Sequence, residues 1–110
     1  MICERYQTIV VPLPFSDVPV LKRRPAVVLS GPGFNSQNNA TVVAMITTAK
    51  ETSWPSDISI ADLDTANLPK QCVVRWRLAS IPNTLILRKL GQLGPLDRLA
   101  CEREFANMLL

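Results

Sequence analysis

The side chains able to do chemistry in this chain are mainly cationic: 12 Lys and Arg face 9 Asp and Glu, cysteines stand at Cys3, Cys72 and Cys101, and there is no histidine. Without imidazole the commonest general base, the commonest metal ligand and every histidine-based triad are excluded. The cysteines lie far apart with no Cys-x-x-Cys pair, so no metal site is expected. Their odd number fits reduced, partly buried thiols in a cytosolic protein better than a secreted disulfide framework. What remains is chemistry directed at anions. No acid occurs between Asp17 and Glu51, a window holding Lys22, Arg23, Arg24 and Lys50. None occurs between Asp64 and Asp97, a window holding Lys70, Arg75, Arg77, Arg88 and Lys89. Nine of the twelve cations thus sit in two acid-free stretches. Brought together by the fold, they would make one positive groove for a polyanion, nucleic acid being the commonest. The competing reading is a set of solvated cations that keep strand edges from pairing.

The elements that must position these residues are short strands and one helix. Thr8–Leu13 is β-branched and apolar, and Pro12 and Pro14 mark where it ends or becomes an edge. A loop over Ser16–Arg24 leads to a buried strand at Ala26–Leu29, closed by Ser30-Gly31-Pro32-Gly33. A polar loop with Asn35, Asn38 and Asn39 precedes the longest strand candidate, Ala40–Thr47. Ile58 and Ile60 alternate briefly, and Asp62–Pro69 reads as a connection. Between Cys72 and Leu78, alternation puts Cys72, Val74, Trp76 and Leu78 on a core face and Val73, Arg75 and Arg77 on the opposite one. Thr84–Lys89 gives a last strand.

Gly94-Pro95 then opens a helix, with Asp97 in its first turn complementing the macrodipole. Leu96, Leu99, Ala100, Ala106 and Leu110 share one apolar sector, and Cys101, Phe105, Met108 and Leu109 a second, roughly opposite. One sector covers the sheet; the other is either a dimer or partner contact or a buried last turn. The 110 residues, with net charge +3, are enough for one modest core, so residues 1–110 are expected to form a single domain. Its class is mainly β with minor α, a small antiparallel barrel with a C-terminal helix. The polar N-terminus and the short, proline-interrupted apolar run Ile9–Phe15 show no targeting or membrane segment, and a cytoplasmic location is expected.

Several segments, in order, resemble the MazF/PemK family of bacterial toxins: Ile9–Asp17, Lys22–Leu29, Val42–Thr48, Leu68–Arg75 and Leu87–Leu93. The resemblance spans nearly the whole chain. It implies an SH3-like, CcdB/MazF-like barrel that homodimerises. It also implies a metal-independent endoribonuclease that cuts single-stranded RNA without cofactors, leaving a 2′,3′-cyclic phosphate and a 5′-hydroxyl. The implied protein partner is a cognate antitoxin whose acidic tail occupies the same basic groove. Carried over by position, Arg24 aligns with the family's catalytic arginine and Thr47 with its catalytic threonine. Lys22, Arg23, Thr48, Arg75 and Arg77 are the implied RNA contacts, Arg75 aligning with an arginine that some members also use in cleavage. Some members carry an acid where this chain has Arg77, which leaves an Arg24/Thr47 arrangement as the model. The alternative on the same barrel is a non-catalytic nucleic-acid-binding protein or a gyrase-poisoning toxin. Convergence of Arg24 and Thr47 on one groove discriminates between them.

Overall fold

A computed structural model describes residues 1–12, 22–48 and 53–110. The expected end of the first strand at Leu13, most of the Ser16–Arg24 loop, and Lys50 with its neighbours lie outside the described residues.

Six strands form one antiparallel curled sheet: β1 (Gln7–Val11), β2 (Arg24–Val28), β3 (Ala40–Thr47), β4 (Ile58–Ser59), β5 (Val73–Pro82) and β6 (Arg88–Gln92), in the order β4-β5-β3-β2-β1-β6. Among the described residues three helices, α1 (Pro32–Asn38), α2 (Leu63–Ala66) and α3 (Pro95–Leu109), complete the half-barrel. Each face of the sheet buries its own apolar cluster. Val27, Ala44, Ile46, Val74 and Trp76 pack under α2 and α3. Ile9, Val11, Ala26, Val28, Val43, Met45 and Ile81 form the other core, which Cys3 and Ile86 close. This mainly β architecture with a C-terminal helix is the one expected, and β3 has the predicted boundaries.

Four local expectations are corrected. The polar stretch after Gly31 is helix α1 and not a loop: Pro32 presets its first turn, and Asn39 ends it in the left-handed region at φ 51°. The helix docks through Asn35, whose fully buried side chain donates to the Cys3 carbonyl at 2.9 Å and to that of Ser30 at 3.2 Å. The connection after Asp62 contains α2, capped where the Asp62 carboxylate accepts from Thr65 N at 3.0 Å. The last strand begins at Arg88, because Asn83–Leu85 form a 3-10 turn. Asn83 is held inward there: its side chain accepts from Thr41 Oγ1 at 2.7 Å and donates to the Asn35 carbonyl at 2.8 Å. Finally, Leu78 is 39% exposed. Ala44 pairs with Leu78 but Met45 with Arg75, so Trp76 and Arg77 are extra residues in β5, and the bend takes Leu78 out of the core.

Helix α3 is fastened by its N-terminal turn. The buried Asp97 carboxylate accepts from Ala61 N at 2.9 Å and Asp62 N at 3.0 Å, tying the helix to the segment that enters α2. Replacing Asp97 by alanine leaves both N–H groups without that acceptor, and urea unfolding should show a loss of about 2–3 kcal/mol. Cys101 is fully buried, and Phe105 packs its ring 6.3 Å from Trp76. The sector carrying Leu96, Leu99 and Leu110 faces outward, with Leu96 76% exposed.

Candidate phosphate-binding groove

A groove of about 900 Å³ opens where β2 begins and β3 ends. Lys22, Arg23 and Arg24 line one part of it as the chain runs into β2, and Thr47 and Thr48 line the end of β3. The turn after α2 contributes Asn67 through Lys70, and the start of β6 contributes Leu87 and Arg88. Buried Ile46, Leu68 and Cys72 give it an apolar base. Among the described residues the lining holds five cations and no acid. The two acid-free windows of the sequence therefore do meet, through one residue triplet from the first and through Lys70 and Arg88 from the second.

The pairing of β2 with β3 explains why Arg24 and Thr47 share this groove. Ala26 lies opposite Met45 as the last pair of the two strands, so Arg24 and Thr47, each two residues further on, line the same end of the sheet. Pro25 disfavours helical backbone at Arg24 and fixes the extended entry to the strand. Arg24 is half-buried, and its Nε is buried without a hydrogen-bond acceptor among the described residues. A buried donor that lacks a protein acceptor is costly and is available to an anionic ligand. Lys22, Arg23 and Thr48 are exposed on the approach to it.

Arg75 and Arg77 are not among the groove residues. Arg75 is buried and gripped by Asp57, with Nε 3.1 Å from Oδ1 and Nη2 2.9 Å from Oδ2. Asp57 also accepts from Trp54 N at 3.0 Å, and the Trp54 ring lies 5.6 Å from the guanidinium carbons of both Arg75 and Arg77. The result is a clip that holds residues 54–57 against β5. Alternation correctly set Arg75 opposite Val74 and Trp76, but it gave no sign that an aspartate 18 residues earlier would enclose the side chain. The hydrogen bond from Arg75 holds the Asp57 carboxyl below the usual aspartate range, with the Trp54 N–H acting in the same direction and burial opposing. A depressed carboxyl adds stability above its unfolded pKa of about 3.9 and loses it as pH falls through the lower folded value. Urea midpoints between pH 7 and pH 2.5 should therefore fall more steeply in the wild type than in Asp57→Asn.

The three thiols are free and buried, and burial pushes each up; Cys101, with Asp97 and Glu102 nearby, reaches about 12. At neutral pH they are protonated and poor nucleophiles, Cys72 in the groove included. Among the described residues no three His, Cys, Asp or Glu side chains gather in a way that could hold a metal ion. No helix among them is long and apolar enough to cross a membrane. The groove brings together Lys22, Arg23, Arg24, Thr47 and Thr48, each given a site role from the sequence, with Lys70 and Arg88, which the sequence placed among the groove cations without an individual role. Their place in the second acid-free window was the available signal.

The fold matches solved structures over nearly its full length. A MazF from Deinococcus radiodurans superposes with a TM-score of 0.77 at 14% identity, covering 99% of this chain and 97% of that one. An endoribonuclease from a mycobacterial species, solved with its cognate antitoxin, gives 0.74 at 16% identity over 98% and 93%. A MazF toxin of Mycobacterium tuberculosis gives 0.72 at 20% identity over 92% and 93%. At these identities the likeness speaks for the fold alone. A search of curated proteins by sequence gives no match. The family model for PemK-like, MazF-like toxins, in contrast, matches residues 4–109, nearly the entire chain. On that match the protein belongs to the PemK-like, MazF-like toxins of type II toxin-antitoxin systems.

Proposed function

We propose that this toxin is a metal-independent endoribonuclease that binds single-stranded RNA in the groove at the β2–β3 end and cuts it by transesterification. The observation that carries this reading is the placement of Arg24 and Thr47 on one groove ringed by cations. In the reaction the 2′-oxygen loses its proton and attacks the adjacent phosphorus. The bond from phosphorus to the 5′-oxygen breaks, and that oxygen takes up a proton. The products carry a 2′,3′-cyclic phosphate and a 5′-hydroxyl.

Arginine presents a planar fork of donors matched to phosphate oxygens, so Arg24 stabilises the pentavalent phosphorane as charge develops. The Thr47 hydroxyl is a poor base, and it donates to a phosphate oxygen or orients the 2′-hydroxyl. Lys22, Arg23 and Thr48 hold neighbouring phosphates. Arg75 keeps the flanking 54–57 segment in place through Asp57, and Arg77 is exposed charge beside it. In this reading guanidinium charge takes the part a metal plays in other nucleases. The toxin works in the cytoplasm as a homodimer. The mycobacterial endoribonuclease was solved with a cognate antitoxin; the antitoxin of this toxin blocks the groove with an acidic segment.

Long single-stranded RNA should be cut by the purified protein, while DNA of the same sequence, lacking the nucleophile, should be bound but left intact. Cleavage of both, or of neither, overturns the reading.

A further inference from the structure

Two cations on the groove remain without a role in the reaction: Lys70, four residues after the end of α2, and Arg88, the first residue of β6. Both are exposed, and among the described residues neither forms an ion pair. Resting on the reading of the groove as an RNA site, we infer that Lys70 and Arg88 form a second phosphate-binding row. It grips the strand on the side away from Lys22, Arg23 and Arg24 and sets how far the RNA is drawn across the catalytic pair.

The structure holds these two residues on one rigid unit. The Asn67 side chain donates to the Leu90 carbonyl at 3.1 Å, joining the turn that bears Lys70 to the strand that bears Arg88. Asn67 takes the left-handed conformation at φ 55°, and its N–H bonds the Asp64 carbonyl at 3.0 Å, so the turn has a fixed shape. Below it the Thr8 hydroxyl donates to the Ala66 carbonyl at 2.8 Å, and Gln71 donates to the Ile60 carbonyl at 3.1 Å. Gly91 lets β6 pass directly under α2, since a Cβ there would run into the Thr65 carbonyl. Preorganised cations lose little freedom on binding, and each phosphate contact is read out as salt dependence. The same groove has buried Ile46, Leu68 and Cys72 in its lining, apolar surface on which bases can rest while the cations hold phosphates. Contact on both sides of the scissile position requires a longer strand than Arg24 and Thr47 alone would need.

The test compares wild type, K70Q/R88Q and the off-groove control R103Q for binding of a single-stranded RNA of mixed sequence between 50 and 300 mM salt. Cleavage kinetics of the same RNA are followed in parallel. Each lost single-strand contact should lower the slope of log K against log salt by about 0.7, so the double variant should lose about 1.4, while R103Q keeps the wild-type slope. The double variant should bind roughly tenfold more weakly and show a raised KM with kcat retained, because uniform binding and not transition-state contact has been removed. Wild-type binding with an unchanged slope and KM in K70Q/R88Q overturns this inference and leaves the proposed function standing. Failure of the wild type to bind or cut RNA at all overturns both. Because both side chains are exposed, thermal unfolding of the double variant should match wild type, which separates loss of contact from loss of fold.

Discussion

Arg24→Ala should lower the rate of RNA cleavage by about 100- to 1,000-fold while leaving binding within about tenfold of wild type. The effect is large because Arg24 is the half-buried cation of the groove, with its Nε withdrawn from water and without an acceptor among the described residues. Lys22 and Arg23, by contrast, stand in solvent. A charge in that position is worth far more to a developing phosphorane dianion than one screened by water. Arg24→Lys should recover little of the lost rate, since an ammonium keeps the charge but not the two-pronged donor geometry. Thr47→Val, which keeps shape and removes the hydroxyl, should cost a smaller factor, about tenfold. Single-turnover cleavage checks all three, because it separates the chemical step from binding and release. An Arg24→Ala protein that cuts at the wild-type rate would remove Arg24 from the mechanism.

Arg75→Ala should destabilise the protein by about 3 kcal/mol, lowering Tm by roughly 10–20 °C, through Asp57 and not through the groove. With Arg75 present the Asp57 side chain is only 10% exposed, and truncation removes its bidentate partner. It also withdraws one of the two guanidiniums from Trp54. The double variant Arg75→Ala/Asp57→Ala should be more stable than Arg75→Ala alone, because the unpaired buried charge is gone. At a temperature where Arg75→Ala is fully folded, its cleavage rate should lie well above that of Arg24→Ala. A cleavage defect as deep as that of Arg24→Ala in a stably folded Arg75→Ala would instead place Arg75 at the reacting phosphate.

What could be read from the sequence follows where local and tertiary signals agree. Ala40–Thr47 is β-branched, apolar and central in the sheet, so its boundaries are legible; Pro95 and Asp97 mark α3 just as plainly. Helix α1 was hidden because Gly, Pro, Ser and Asn read as turn residues, and what keeps it helical is the burial of Asn35 against Cys3 and Ser30, a contact across 32 residues. Thr84-Leu85-Ile86-Leu87 has strand composition, yet the long-range bonds of Asn83 curl it into a turn and hand the pairing to the less apolar Arg88–Gln92. For the groove, the charge windows indicated which segments would contribute. The family resemblance picked Arg24 and Thr47, and the β2–β3 register explains why those two line one groove. Lys70 and Arg88 stood in the second acid-free window, but their 18-residue separation does not say that they share a wall, which the hydrogen bond from Asn67 to Leu90 shows.

The most direct test of the central claim is cleavage of a long single-stranded RNA by the purified toxin in excess EDTA, with the fragment ends analysed chemically. Fragments ending in a 2′,3′-cyclic phosphate and beginning with a 5′-hydroxyl, formed at an undiminished rate, are the predicted result. Activity that vanishes with EDTA and returns with a divalent cation, or fragments beginning with a 5′-phosphate, would contradict it.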